Sequence, residues 1–169
     1  HPMPAPVLDL PGDWETFRKG LGKNFRQALG RHPRRLERAY PGRRHLVRIE
    51  DPEALDGAME TLFHLHQQVK LSQGLPGAFA DSARRDFHRT LARRLLEKGW
   101  LALYELRVEG KAISSIYCFH YENIVSFYQT GYALDWSNYR PGQQVMGHAI
   151  GEAIRAGAAQ FDFLRGDEP

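Results

Sequence analysis

Few residues in this 169-residue chain are of a type and spacing that could do chemistry. Eight histidines raise the question of a metal, yet His64 and His66 stand two apart on a helical segment and face different ways. His1, His32, His45, His88, His120 and His148 have no Cys, Asp or Glu at ligand spacing, so no metal is expected. The one cysteine, Cys118, lies mid-strand between aromatics and reads as a small buried hydrophobe rather than a nucleophile. A nucleophile elbow, a P-loop and a dinucleotide fingerprint are all missing. Residues 131–142, Gly-Tyr-Ala-Leu-Asp-Trp-Ser-Asn-Tyr-Arg-Pro-Gly, are more informative, because a strand leaves through them straight into a helix. A helix start offers free backbone N–H groups and partial positive charge to an anion. There Gly142 would let a phosphate approach closely and Arg140 would add charge, although an ordinary turn and cap would use the same residues.

The elements that must hold these residues are legible in the hydrophobic period. Residues 1–12 carry four of the ten prolines and no periodic pattern, and read as a linker. From 13 to 40, Trp14, Phe17, Leu21, Phe25, Ala28, Leu29 and Leu36 recur at helical spacing opposite Arg and Lys. Gly20 and Gly22 break this run into two helices, and Pro33 is expected to kink or end the second. A strand at 45–50 follows, then a helix capped by Asp51-Pro52 with Leu55, Ala58, Met59, Leu62, Phe63 and Val69 inward. A second helix, capped at Asp81, runs to about residue 98 with Phe87, Leu91, Leu95 and Leu96 inward. Strands at 100–108, 112–121 and 124–133, joined by Glu109-Gly110 and Glu122-Asn123, predict an antiparallel meander. A helix from Gly142 to about Ala156, stopped by Gly157, leads to a last strand at 160–164 that should pair in parallel. The result is an α+β domain, 13–169, with a mixed central sheet and a basic helical segment at 13–44.

Composition narrows the class further. With 42% apolar, 25% charged and 11% aromatic residues, the chain is an ordinary globule rather than a disordered, disulfide-rich or repeat protein. No apolar run reaches the roughly 20 residues a membrane span needs. A lone cysteine and no signal-like start fit a cytoplasmic setting. The net charge of +3 divides unevenly: residues 1–50 hold 11 Lys/Arg against 5 Asp/Glu, and residues 51–169 hold 12 against 15. Such a basic front can meet phosphate-bearing ligands, anionic lipid, nucleic acid or an acidic neighbouring domain.

This order of elements resembles the GNAT acyltransferase fold. Several strings are similar to one branch of it, the acetyltransferase-type domain of bacterial cellulose and exopolysaccharide biosynthesis proteins, distantly related to Fem-type aminoacyltransferases. They are Lys23-Asn24-Phe25-Arg26, Leu65-His66-Gln67, Pro76-Gly77-Ala78-Phe79-Ala80-Asp81, Ala102-Leu103-Tyr104-Glu105-Leu106, Tyr117-Cys118-Phe119, Tyr128-Gln129-Thr130-Gly131-Tyr132 and, most specific, Phe161-Asp162-Phe163-Leu164-Arg165-Gly166-Asp167-Glu168-Pro169.

The resemblance implies transfer of an acyl group from acetyl-CoA or another acyl-CoA to an amine or hydroxyl of a small-molecule acceptor, such as an envelope polysaccharide precursor. The strand at 124–133 would splay from the one at 160–164, with the donor in the gap and its phosphates at residues 138–144. In that reading Arg140, Gly142, Gln143 and Gln144 hold phosphate, and backbone N–H groups near Gln129, Thr130 and Gly131 face the acyl oxygen. Asp162 and His120 are candidate bases, Tyr128 a candidate acid or orienter, and Arg165, Asp167 and Glu168 candidate contacts to the acceptor. Plain structural roles stand beside these: Asp162 as a cap, His120 as a satisfied sheet residue, Tyr128 as core, Arg165 in an ion pair.

Two features depart from the family pattern. The loop Arg140-Pro141-Gly142-Gln143-Gln144-Val145 has one glycine and places glutamines where small residues usually stand. The chain also stops one strand after its helix, where the fold normally adds a helix and two strands, so a longer protein, a second GNAT-like domain or a homo-oligomer is expected. A Fem-type aminoacyl-tRNA-dependent transferase is one alternative. Another is a non-catalytic module docking its basic helix on a partner domain or RNA, though RNA is disfavoured because no exposed aromatics interleave with the basic residues.

Overall fold

The computed structural model describes residues 6–164. After a short strand β1 (Val7–Asp9) come helices α1 (Trp14–Gly20) and α2 (Lys23–Ala39), strand β2 (Arg44–Arg48), and helices α3 (Pro52–Ser72) and α4 (Ser82–Glu97). The meander β3 (Leu101–Val108), β4 (Lys111–Tyr121) and β5 (Ile124–Tyr132) follows. A 3₁₀ turn (Leu134–Tyr139), helix α5 (Pro141–Arg155) and strand β6 (Gln160–Asp162) complete the order. One six-stranded sheet runs β1-β6-β5-β4-β3-β2, antiparallel throughout except for the β5/β6 pair. The mixed α+β architecture is the one the sequence predicts.

Local chemistry sets the boundaries. Asp51 caps α3 by accepting from the Glu53 N–H at 2.9 Å, with Pro52 at the first position, and Asp81 caps α4 through the Ala83 N–H at 3.1 Å. Glu109 and Gly110 both take positive φ, as the two-residue turn between β3 and β4 demands. Helices cover both faces of the sheet, so alternate residues of β3 enter different cores. Leu101 and Leu103 pack with Met59, Leu62, Phe63 and Phe79 beneath α3 and α4. Ala102 and Tyr104 pack with Val145, Ala149 and Ile150 beneath α5. Residues 101–106 are buried without a break, the pattern of a strand covered on both sides.

Three expectations are corrected. The 1–12 segment is not simply a linker, since Val7–Asp9 pairs with β6 and Leu8 packs into the α5-side core. The flanking Pro6 and Pro11 are tolerated because β1 is an edge strand. Pro33 neither ends nor divides α2, which runs on to Ala39; packing that buries Leu36 completely offsets the lost helical hydrogen bond. Phe87 is 61% exposed, and its neighbour His88 is the residue α4 turns inward.

Candidate active site

The sheet opens where β5 outruns β6. The parallel pairing covers Ile124, Val125 and Ser126 opposite Gln160, Phe161 and Asp162, and β5 then continues to Tyr132 with no strand paired to it on that side among the described residues. Just beyond this fork, Tyr117 pairs with Gln129 and Cys118 with Phe127, which leaves Tyr128 as the extra residue of a β-bulge. A bulge frees one residue from the ladder and re-aims its side chain. Here Tyr128 joins the cluster under α3 and α4, and with Gln129 it lines a cleft bounded by Ala78, Asp81, Arg84, Phe87 and His88.

His88 forms the floor of that cleft. Only 4% exposed, it sets Nε2 3.1 Å from the Tyr128 hydroxyl and Nδ1 3.5 Å from the Tyr117 hydroxyl, the latter at the limit of a hydrogen bond. Burial, and next the positive charge of Arg84, hold its imidazole below the usual histidine range, so the neutral ring is favoured near pH 7. Burial likewise pushes the Tyr117 phenol up, with Tyr128 adding to the effect. Phe79 meets His88 and His66 edge-on, at centroid distances of 5.5 and 5.1 Å, and walls the network off from the core.

His66 holds the cleft's other side. Its Nδ1 lies 2.9 Å from the Thr130 carbonyl, which can only accept, and its Nε2 takes the Ala78 N–H at 3.1 Å. These two partners fix the Nδ1–H tautomer and tie β5 to the loop before α4. Gln67 secures the same loop, donating from Nε2 to the Pro76 carbonyl and accepting the Phe79 N–H at Oε1.

A second cleft lies at the start of α5, whose Gly142 packs against the Tyr132 ring. Tyr132 is four residues beyond Tyr128, about 13 Å along a strand. Arg140 caps α5 with φ +53°, Pro141 brings no N–H, and the Gln144 N–H bonds the Arg140 carbonyl, so Gly142 and Gln143 carry the open N–H groups of the first turn. Arg31, Arg35, Arg140 and His32 surround them, and no acidic side chain lines the cleft among the described residues. Arg35 is held there by a 3.2 Å bond to the Asn138 carbonyl and by stacking over Tyr139. This set of donors fits a phosphate-bearing group.

The structure distributes the predicted residues unevenly. Tyr128 and Gln129 meet at the cleft, and Asp162 shares their sheet face, since its neighbour Phe161 points into the opposite core. The Asp162 carboxylate accepts the Leu164 N–H at 2.8 Å, a local cap. His120 follows the alternation of Cys118 and Val125 toward the α5 side, with the sheet between it and Tyr128. Thr130 satisfies its hydroxyl on the Ser115 carbonyl. The missing side chain of Gly131 makes room for α3, because a Cβ there would stand 2.2 Å from the His66 N. At the second cleft Arg140, Gly142 and Gln143 face the opening, whereas the Gln144 amide is already engaged, accepting from Arg44 Nε and donating to the Tyr139 carbonyl. Arg165, Asp167 and Glu168 lie outside the described residues. Sequence reasoning missed His88 and His66; His88 sits four positions from buried Ala92, and His66 three and four positions from buried Phe63 and Leu62, which marked their faces.

A mixed sheet with a single parallel pair, a fork and bulge in the strand before it, and an anion-suited helix start just beyond define a GNAT-like fold. Residues 23–169 match the acetyltransferase (GNAT) domain family, and the chain belongs to that family. No curated protein matches it. Among solved structures, the crystal structure of FemX superposes with a TM-score of 0.69 at 10% identity, over 96% of this chain and 54% of that one. A conserved protein of unknown function from Bacteroides thetaiotaomicron VPI-5482 gives a TM-score of 0.55 at 14% identity, over 92% and 51%. The C-terminal DUF2156 domain of a protein described as a lysylphosphatidylglycerol synthetase from Agrobacterium fabrum gives 0.58 at 14%, over 93% and 44%. The chain thus spans about half the length of each solved chain, and the likeness at such identities is one of fold. Among the described residues no group of His, Cys, Asp and Glu is placed to hold a metal, and no helix is long and apolar enough to cross a membrane.

Proposed function

We propose that this chain is an acyltransferase domain that moves an acyl group from acyl-CoA to an amine or hydroxyl, with the bulge at Tyr128 as its reaction centre. The observation that carries the reading is the fork in β5: a bulged residue on a buried histidine at one end, and a basic helix start about 13 Å further along the same strand. Arg31, Arg35, Arg140 and the Gly142 and Gln143 N–H groups would hold the donor's phosphates. The bound donor supplies a thioester carbonyl open to attack. Backbone N–H groups about the bulge, released from the ladder, are the donors for its oxygen. In the tautomer protonated at Nδ1, His88 accepts the Tyr128 hydroxyl proton at Nε2 while Tyr128 takes the acceptor's proton. As the acceptor–acyl bond forms the C–S bond breaks, and His88 returns that proton through Tyr128 to the departing thiolate, which leaves as the free thiol. Tyr128 would touch the acceptor and His88 would act through it. Arg84 and exposed Phe87 at the cleft mouth suit a polar ring such as the sugar of an envelope precursor.

A Fem-type reading, with aminoacyl-tRNA as donor, has its own support. The likeness to FemX spans nearly the whole chain, and Arg31, Arg35 and Arg38 form an exposed basic stripe on α2 beside the second cleft. One competition experiment separates the two. Acetyl-CoA at about 100 times its dissociation constant should raise Tm by roughly 5–10 °C, and Arg35→Ala and Arg140→Ala should weaken that effect. No shift at millimolar acetyl-CoA, with charged tRNA binding instead, would overturn the CoA reading in favour of the Fem-type one.

A further inference from the structure

On the sheet face away from His88, α1 and α2 lie against α5 and enclose a pocket of about 190 Å³. Trp14, Leu29 and Leu46 supply apolar lining, and Arg44, His32 and His148 are its basic and imidazole lining residues. No acidic side chain lines it among the described residues.

Arg44 is the anomaly. It is half-buried, and burial draws its pKa below the ordinary arginine value against the opposing pull of Glu37. Its Nε donates to the Gln144 Oε1 at 3.1 Å, and Gln144 is held in turn by the Tyr139 carbonyl. Among the described residues this is the one hydrogen bond its guanidinium makes, and no carboxylate pairs with it. Glu37, the nearest candidate, gives its carboxylate to the Gly42 N–H at 2.7 Å. Arg155 at the rim is already paired with Glu152. His32 is 9% exposed, and its Nδ1 has no partner. A half-buried guanidinium with no carboxylate at ion-pair distance, lining the same pocket as a histidine with an orphaned ring nitrogen, is a costly arrangement that an anion would relieve.

The helix wall is shaped to leave room. Gly147 and Gly151 stand one turn apart on α5; a Cβ at 147 would come 2.9 Å from Leu29 Cδ2, and one at 151 would sit 3.6 Å from the Trp14 ring. The space equals that of about six water molecules, enough for a carboxylate and a few carbons. We infer that this pocket binds a small monocarboxylate, its head group on the two free amino nitrogens of Arg44 and its short apolar body on Trp14 and Leu29. The pocket is distinct from the phosphate cleft but adjoins it, because Arg44 and Gly151 line this pocket alone. Since His32 and Gln143 line both pockets, an occupant would also brace the first turn of α5.

Butyrate is the probe, titrated into the chain by calorimetry and followed by Tm, with butanol, butylammonium and inorganic phosphate as controls at matched ionic strength. Butyrate should bind and raise Tm, butanol and butylammonium should not, and Arg44→Gln should weaken butyrate by about tenfold or more. Gly151→Leu, which fills the pocket and keeps every charge, should abolish the effect, and it carries the test should Arg44→Gln fail to fold. No butyrate binding, an equal response to phosphate, or a response that survives Gly151→Leu would overturn the inference.

Discussion

The Nε2 of His88 and the hydroxyl of Tyr128 lie 3.1 Å apart, one carried by the middle of α4 and the other by the bulge of β5. Forty residues separate them in sequence. Burial favours the neutral imidazole, which can accept a proton, and the bulge turns the phenol toward it.

Activity should therefore depend on both. Tyr128→Phe removes the relay and His88→Gln removes the acceptor, and each should lower kcat by about 10²-fold or more with little change in KM for the donor. The acid limb of the wild-type pH–rate profile should fall below the ordinary histidine value of 6.5, since burial lowers the His88 pKa. That limb should disappear in His88→Gln. A variant retaining both rate and limb would remove His88 from the mechanism.

Gly131→Ala should be among the most disruptive single changes. The added Cβ would meet the backbone of α3 at 2.2 Å from the His66 N and 2.5 Å from the Leu65 carbonyl carbon, and backbone cannot rotate away. A loss of about 3 kcal/mol is expected, a Tm drop of roughly 6–12 °C by thermal melting. Gly57→Ala, with open space around its Cβ, should stay near wild type or gain slightly.

Stability should fall on mild acidification. His32, His88 and His148 are all held below 6.5, burial being the largest cause for each. A group with a depressed folded pKa binds its proton more readily in the unfolded chain. Their contribution is thus complete above about pH 7 and is lost as pH drops through 6.5, by at most about 1.4 kcal/mol per pH unit for each. Denaturant titrations at pH 8, 7, 6 and 5 should trace this decline, and a flat response between pH 7 and 5 would contradict it.

Cys118 should be chemically silent in the native state. It is fully buried in the α5-side core, and burial pushes its thiol pKa up, so little thiolate forms near neutrality. A disulfide-exchange reagent such as DTNB should label it only after denaturant is added. Rapid labelling of the folded chain would place it elsewhere.

Much of the architecture was already determined by local rules. The caps at Asp51 and Asp81, the turn at Glu109-Gly110 and the hydrophobic period of α3, α5 and the meander are short-range features, and short-range features survive translation from sequence to structure. They placed the start of α5 and put Tyr128 in a strand of the meander, and the family resemblance implied the gap beside that strand. Tertiary packing decided what those rules could not reach. Helix α2 passes through Pro33 because its packing buries Leu36, and Val7–Asp9 becomes a strand because β6 offers an edge. His88 rather than Phe87 turns inward because the phenols of Tyr117 and Tyr128 await an imidazole at that point. Hydrophobicity alone ranks Phe above His. A buried histidine gains its place from specific hydrogen-bond partners, and those partners lie on β4 and β5, which only the folded sheet brings beneath α4.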